Sequence, residues 1–169
     1  MTAPAIVVVD ADGPADLALV RELFLEYASW LGFSLDYQGF AEELAGLPGK
    51  YAPSEGRLLL ARGEGGAAGV AALRPLAPGI AEMKRLYVRP AFRGRRVGEL
   101  LVDRLIAEAR AIGYRAIRLD TIEDKMAAAM ALYRRRGFVD IPAYYPSPIA
   151  GTAYMELTLA AAAANGEPI

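Results

Sequence analysis

Between Met83 and Ile112 the sequence passes from a strand pattern to a helix pattern across one short basic loop, Arg93-Gly94-Arg95-Arg96-Val97-Gly98. Met83 to Val88 is rich in β-formers and is followed by Pro90, which reads as a strand running into a turn. Beyond the loop, Val97, Leu101 and Leu105 recur at four-residue spacing, with Leu100 and Ile112 on or near the same face, so an amphipathic helix is expected. A strand joined this tightly to a helix commits the chain to an α/β arrangement.

The loop also points to a chemistry. The first turn of a helix leaves backbone N–H groups unpartnered, and the peptide dipoles make that end electropositive. Gly94 and Gly98 let the backbone approach an anion such as a pyrophosphate, and Arg93, Arg95 and Arg96 add charge. The run lacks the Gly-Lys-Ser/Thr ending of a nucleoside-triphosphate loop and the glycine spacing of a dinucleotide fold, which argues against both ligands.

What is missing narrows the function further. The 169 residues contain no cysteine and no histidine. That excludes disulfides, thiol nucleophiles, thiolate or imidazole metal sites and histidine-based triads, so no metal site is expected. Nineteen basic residues against twenty acidic ones give a net charge of −1, which predicts no nucleic-acid partner. No apolar run reaches the ~20 residues of a membrane span, and the N-terminus has no basic region before its short apolar run, so a cytoplasmic protein is expected.

In chain order, Ala5 to Val9 reads as a strand, and Leu17, Val20, Leu23, Phe24 and Tyr27 fit one face of a helix that Gly32 ends. A second short helix spans Gly39 to Leu47. Strands follow at Leu58–Ala61 and Ala67–Leu73, joined by a glycine-rich hairpin turn, with Pro75 to Gly79 turning into the strand that ends at Val88. A strand at Ala116–Thr121, a helix from about Glu123 to Arg136 and a last strand at Thr152–Leu159 complete a single domain over 1–160, with 161–169 as a flexible tail. Exposed strand edges near the chain's end would let a second copy pair, as in a homodimer.

The strand, loop and helix together resemble motif A of the GCN5-related N-acetyltransferase (GNAT) superfamily, Gln/Arg-x-x-Gly-x-Gly/Ala. Arg93 and Gly98 match its ends, and Arg96 stands where the middle glycine is usual. Ala128 to Phe138 resembles the family's motif B, Ala-x-x-Leu-Tyr-x-x-x-Gly-Phe. The resemblance spans about residues 57–160. It implies a mixed, mostly antiparallel α/β sheet with helices on both faces, and acetyl-CoA as cofactor. The backbone of Leu86, Tyr87 and Val88 would hold the pantetheine arm, and the amides from Arg93 through Gly94, Arg95, Arg96 and Val97 to Gly98, with Glu99 just beyond, the pyrophosphate. Motif B usually carries an asparagine where this chain has Met126; Thr121 or Lys125 would take its place.

The implied reaction is acetyl transfer to a primary amine, and without a cysteine the amine must attack the thioester directly. Tyr133, the motif B tyrosine, would protonate the departing thiolate, although its spacing from Met126 and Met130 also suits a core residue. Glu82 lies eleven residues before Arg93, where histone-acetylating members carry a glutamate. Desolvation on its strand would raise its pKa toward that of a general base; pairing with Lys84 or Arg85 is the competing reading, and water the competing base. For the acceptor, a small-molecule amine, Tyr27, Trp30, Tyr144 and Tyr145 suit a cationic or apolar amine, whereas Lys84 and Arg85 suit one that bears a carboxylate. A protein lysine or N-terminus as acceptor, or an acyl-CoA-binding module without turnover, are the alternatives.

Overall fold

The computed structural model describes residues 5–159. The tail expected at 161–169 lies outside them. The strands are β1 (Val7–Asp10), β2 (Arg57–Gly63), β3 (Gly66–Ala77), β4 (Ile80–Val88), β5 (Ala116–Ile122), β6 (Val139–Ile141) and β7 (Thr152–Thr158), and the helices are α1 (Gly13–Leu31), α2 (Phe40–Ala45), α3 (Val97–Ile112) and α4 (Ala127–Arg135). The strands form one sheet in the order β1-β2-β3-β4-β5-β7-β6. Only β4 and β5 run parallel; the other pairs are antiparallel, as expected of a mostly antiparallel mixed sheet.

Both faces are covered. On β2, Leu58 and Leu60 point to one side and Leu59 and Ala61 to the other, because successive strand residues alternate. The first pair packs with Val20, Leu23, Phe24 and Tyr27 of α1; the second faces Leu101 and Leu105 of α3. Each fully buried leucine contributes about 2 kcal/mol. Helix α3 lies close on β3 because Gly69 has no side chain: a Cβ there would stand 2.7 Å from the Tyr87 carbonyl and 3.3 Å from Val97.

Several expectations are corrected. Strand β3 runs through Pro75 to Ala77 and β4 starts at Ile80, so the turn is tighter than Pro75–Gly79, and Arg74 stands opposite Glu82. Helix α4 begins at Ala127 rather than near Glu123, because the Glu123 N–H bonds the Gly151 carbonyl and Lys125 and Met126 turn back onto Ile122. The buried stripe of α3 runs through Val97, Leu101, Val102, Leu105, Ile106 and Ala109, which turns Leu100 to solvent at 41% exposure. Residues 139–141 form a further strand, beyond those expected from the sequence, and it covers the outer side of β7. The edge available to a second copy near the chain's end is therefore three residues long.

Candidate active site

The site exists because β4 and β5 part company. Their parallel register pairs Ile80 with Ala116, Ala81 with Ile117 and Glu82 with Arg118, then stops. Beyond Glu82, the β5-facing edge of Met83 to Val88 has no neighbouring strand, and a cavity of about 560 Å³ enters the gap. A β-bulge helps to open it. Between the pairs Val70–Tyr87 and Ala72–Lys84, two β4 residues oppose one on β3, and Arg85 takes a left-handed φ of 62°. That strain is held by neighbours: the Arg85 guanidinium donates to both Glu43 carboxylate oxygens at 2.9 and 2.8 Å and to Gln38 Oε1 at 2.7 Å, and lies over the Phe40 ring.

At one end the cavity meets the start of α3. No side chain caps this helix, so the first-turn N–H groups are open to an anion, and Gly94, Arg96, Val97, Gly98 and Glu99 all line the cavity. Arg93 folds back onto the Val88 carbonyl at 3.1 Å, and its guanidinium and the Lys125 ammonium both lie within 6 Å of the Trp30 ring centroid. Trp30 thus joins the loop before α3 to the loop before α4. Glu99 gathers Arg96 at 2.6 Å, Arg136 at 3.4 Å and Arg135 at 3.7 Å, and the Arg96 hydrogen bond leads in holding its carboxyl below the ordinary value. Arg95 points elsewhere, over Phe92, and does not line the cavity.

Arg96 itself has φ 62°, the left-handed region where glycine is comfortable, which explains why the related motif has glycine there. Its side chain is 78% exposed. Arg96→Gly should therefore raise Tm by roughly 2 °C and leave acetyl-CoA affinity within about twofold. A drop in Tm, read by calorimetry, would show that the arginine side chain outweighs the strain.

Tyr133, from α4, also lines the cavity. Its ring packs on Phe138 at 5.6 Å between centroids, and burial pushes its phenol well above the ordinary tyrosine value, so it stays protonated at neutral pH. Leu86, Tyr87 and Val88 line the wall from β4, and Thr121 from β5, its hydroxyl directed to the Met126 sulfur at 3.0 Å. Tyr27 lies alongside, packed on Tyr87.

At the other end the cavity reaches Lys84 of β4 and Asp120 of β5. Lys84 donates to Gln38 Oε1 at 3.2 Å; Gln38 Nε2 donates to the hydroxyls of Tyr37 at 3.2 Å and Tyr145 at 3.5 Å; and Tyr145 donates to Asp120. Tyr154 donates to the Tyr145 carbonyl at 2.7 Å and fixes that loop. Asp120 and Gln38 were not singled out from the sequence. Aspartate is depleted in strands, so Asp120 amid Leu119, Thr121 and Ile122 was the available signal.

Glu82 and Tyr144 do not line this cavity. Glu82 accepts from Arg74 at 2.9 Å and from the Tyr144 hydroxyl at 2.6 Å. Burial alone would raise its carboxyl, but the Lys84 ammonium, the Tyr144 hydrogen bond and the Arg74 guanidinium together hold it below the ordinary value. The expected upward shift is therefore corrected, because Lys84, two residues on along the same strand, the Tyr144 hydroxyl and the Arg74 guanidinium opposite Glu82 all favour the carboxylate. A carboxyl whose folded pKa is depressed stabilises the fold fully above its unfolded value, and that stability is lost as pH falls through the folded value. Glu82→Gln should cost about 2–3 kcal/mol at neutral pH and weaken the acid dependence of Tm, measured from pH 7 downward. A variant whose acid limb matches the wild type would mean that Glu82 is not ionised in the fold.

A split parallel pair, an uncapped helix start and a buried tyrosine line one cleft. The chain's residues 18–138 match the family model described as "Acetyltransferase (GNAT) family". It is 41% identical over 148 residues to an uncharacterized N-acetyltransferase of Schizosaccharomyces pombe, covering 86% of this chain and 90% of that one. A GNAT-family acetyltransferase from Staphylococcus aureus superposes with TM-score 0.76 at 22% identity, covering 92% of this chain and all of that one. An acetyltransferase from Salmonella typhimurium, solved with acetyl-CoA, gives 0.63 at 23% identity, covering 92% and 95%. The chain belongs to the GNAT acetyltransferase family; it is an acyltransferase, and its cofactor is acetyl-CoA. No helix among the described residues is long and apolar enough to cross a membrane.

Proposed function

We propose that this chain transfers the acetyl group of acetyl-CoA directly to a primary amine of a small molecule, both being bound at once and no acyl-enzyme forming. The observation that carries the proposal is the continuity of the cavity, which joins the start of α3, the Tyr133 side chain and the Lys84–Asp120 end. The uncapped N–H groups of Val97, Gly98 and Glu99, with Arg93 beside them, suit the pyrophosphate. The unpaired edge of β4 from Leu86 to Val88 suits the amides of the pantetheine arm. The cofactor supplies an acetyl carbon activated by its thioester.

In the transfer, the carbon–nitrogen bond to the amine replaces the carbon–sulfur bond, the amine gives up one proton and the thiolate takes one. Tyr133, kept neutral by burial, is the donor to sulfur. Asp120, whose carboxylate faces the cavity, takes the place given to Glu82 by the sequence as acceptor of the amine's proton. Glu82 instead holds Arg74 and Tyr144, which positions the loop that carries Tyr145. Because the chain has no cysteine, a thiol reagent reports only the CoA product. Incubation with acetyl-CoA and a panel of polyamines, amino acids, aminoglycosides, arylalkylamines and a lysine peptide should give thiol release that depends on a small amine. Release only with the lysine peptide would move the acceptor to proteins, and silence with CoA bound would favour a module without turnover.

A further inference from the structure

The parallel register carries a consequence for the acceptor. Glu82 faces Arg118 in the last β4–β5 pair, so the next residues on that face are Lys84 and Asp120, at the positions where the strands have already separated. An ion pair that a continuous sheet would have closed is thereby held apart, with the cavity between its halves. The two side chains are not left equally provided for. Asp120 accepts from Tyr145. Lys84 is only 6% exposed, and among the described residues its ammonium has one hydrogen bond, the 3.2 Å contact with Gln38 Oε1, and no carboxylate within the 4.0 Å of an ion pair. An ammonium has three donors, and a buried one short of acceptors is costly. Burial pushes Lys84 below the ordinary lysine value, and Asp120 and Glu82 restore only part of that. Arg85, the other cation of this strand, is already engaged by both oxygens of Glu43.

We propose that the acceptor is an amine that also carries a carboxylate, an amino acid with an apolar side chain, which bridges the parted pair with its carboxylate on Lys84 and its amino group on Asp120. The apolar part has a place ready: Phe33 and Leu35 line the same cavity near Gln38. This inference rests on the acetyl-transfer reading above.

The test compares matched pairs, phenylalanine with phenethylamine and leucine with isopentylamine, by CoA release. Wild type should prefer the acid in kcat/KM by at least about tenfold, and Lys84→Met should erase or invert that preference, chiefly through KM. The ratio is taken within one preparation, so a reduced folded fraction cancels, and Lys84→Arg should restore part of the preference. As a second readout, the amino acid, and not its decarboxylated partner, should raise the Tm of the CoA-saturated protein. Turnover of amines with no preference for the acid, or a preference unchanged in Lys84→Met, overturns this inference and leaves acetyl transfer standing. No turnover of any amine, with CoA bound, overturns both.

Discussion

Tyr133→Phe should lower kcat about 100-fold while acetyl-CoA affinity stays within about twofold, the range expected when a positioned proton donor is removed and nothing else changes. The substitution removes one oxygen and keeps the ring that packs on Phe138, so the hydrophobic core beneath α4 is preserved. Burial raises the phenol's pKa, so the loss should be the same from pH 6 to 9 instead of appearing only on an alkaline limb. Turnover and equilibrium binding measured on the same preparations separate the possibilities. Parallel loss of affinity and of Tm would assign the tyrosine to packing, the competing reading of its helical spacing.

Asp120→Asn should reduce kcat/KM at pH 7 about 100-fold, and the loss should shrink as pH rises, because an amine that has lost its proton acceptor must deprotonate by its own equilibrium. The rate of the variant should climb about tenfold per pH unit until the amine's own pKa is reached. The amide leaves Tyr145 an acceptor oxygen, so the loop it anchors is retained. A pH–rate profile parallel to wild type, with a loss under threefold, would return the proton to water. Glu82→Gln, by contrast, should move stability more than the shape of that profile, which distinguishes a carboxylate that faces the cavity from one that ties Arg74 to Tyr144.

The strand–loop–helix unit around Arg93 was legible because its signals are local: β-formers, glycines and a helical apolar repeat within one stretch. The same holds for α1, whose apolar face and terminal Gly32 are where the spacing puts them. What escaped the sequence depends on register. The pairing of β3 with β4 beyond Leu73, through Arg74 and Pro75 to Ala77, decides that Arg74 meets Glu82, and no composition within either strand encodes that partner. The bulge at Arg85 likewise turns Arg85 toward Gln38 and Glu43, beside Lys84, where strict alternation would have placed it on the opposite face. Asp120 lines the cavity because of where β5 leaves β4, and a single residue of slip would have pointed it the other way. Tyr144 and Tyr145 show the same limit at a smaller scale: two adjacent tyrosines on one loop, of which one lines the cavity and the other holds Glu82.

If one cleft between β4 and β5 takes the thioester at Tyr133 and the acceptor at Lys84 and Asp120, both ligands lie in that gap together. A crystal structure of the protein with CoA and the best amine from the release assay measures this directly. The expected result is pyrophosphate oxygens on the amides of Val97 to Glu99, pantetheine amides along Leu86 to Val88, the sulfur within about 3.5 Å of the Tyr133 hydroxyl, and the amine nitrogen between that sulfur and Asp120. A CoA sulfur directed away from Tyr133, or an amine bound outside the gap between the two strands, would contradict it.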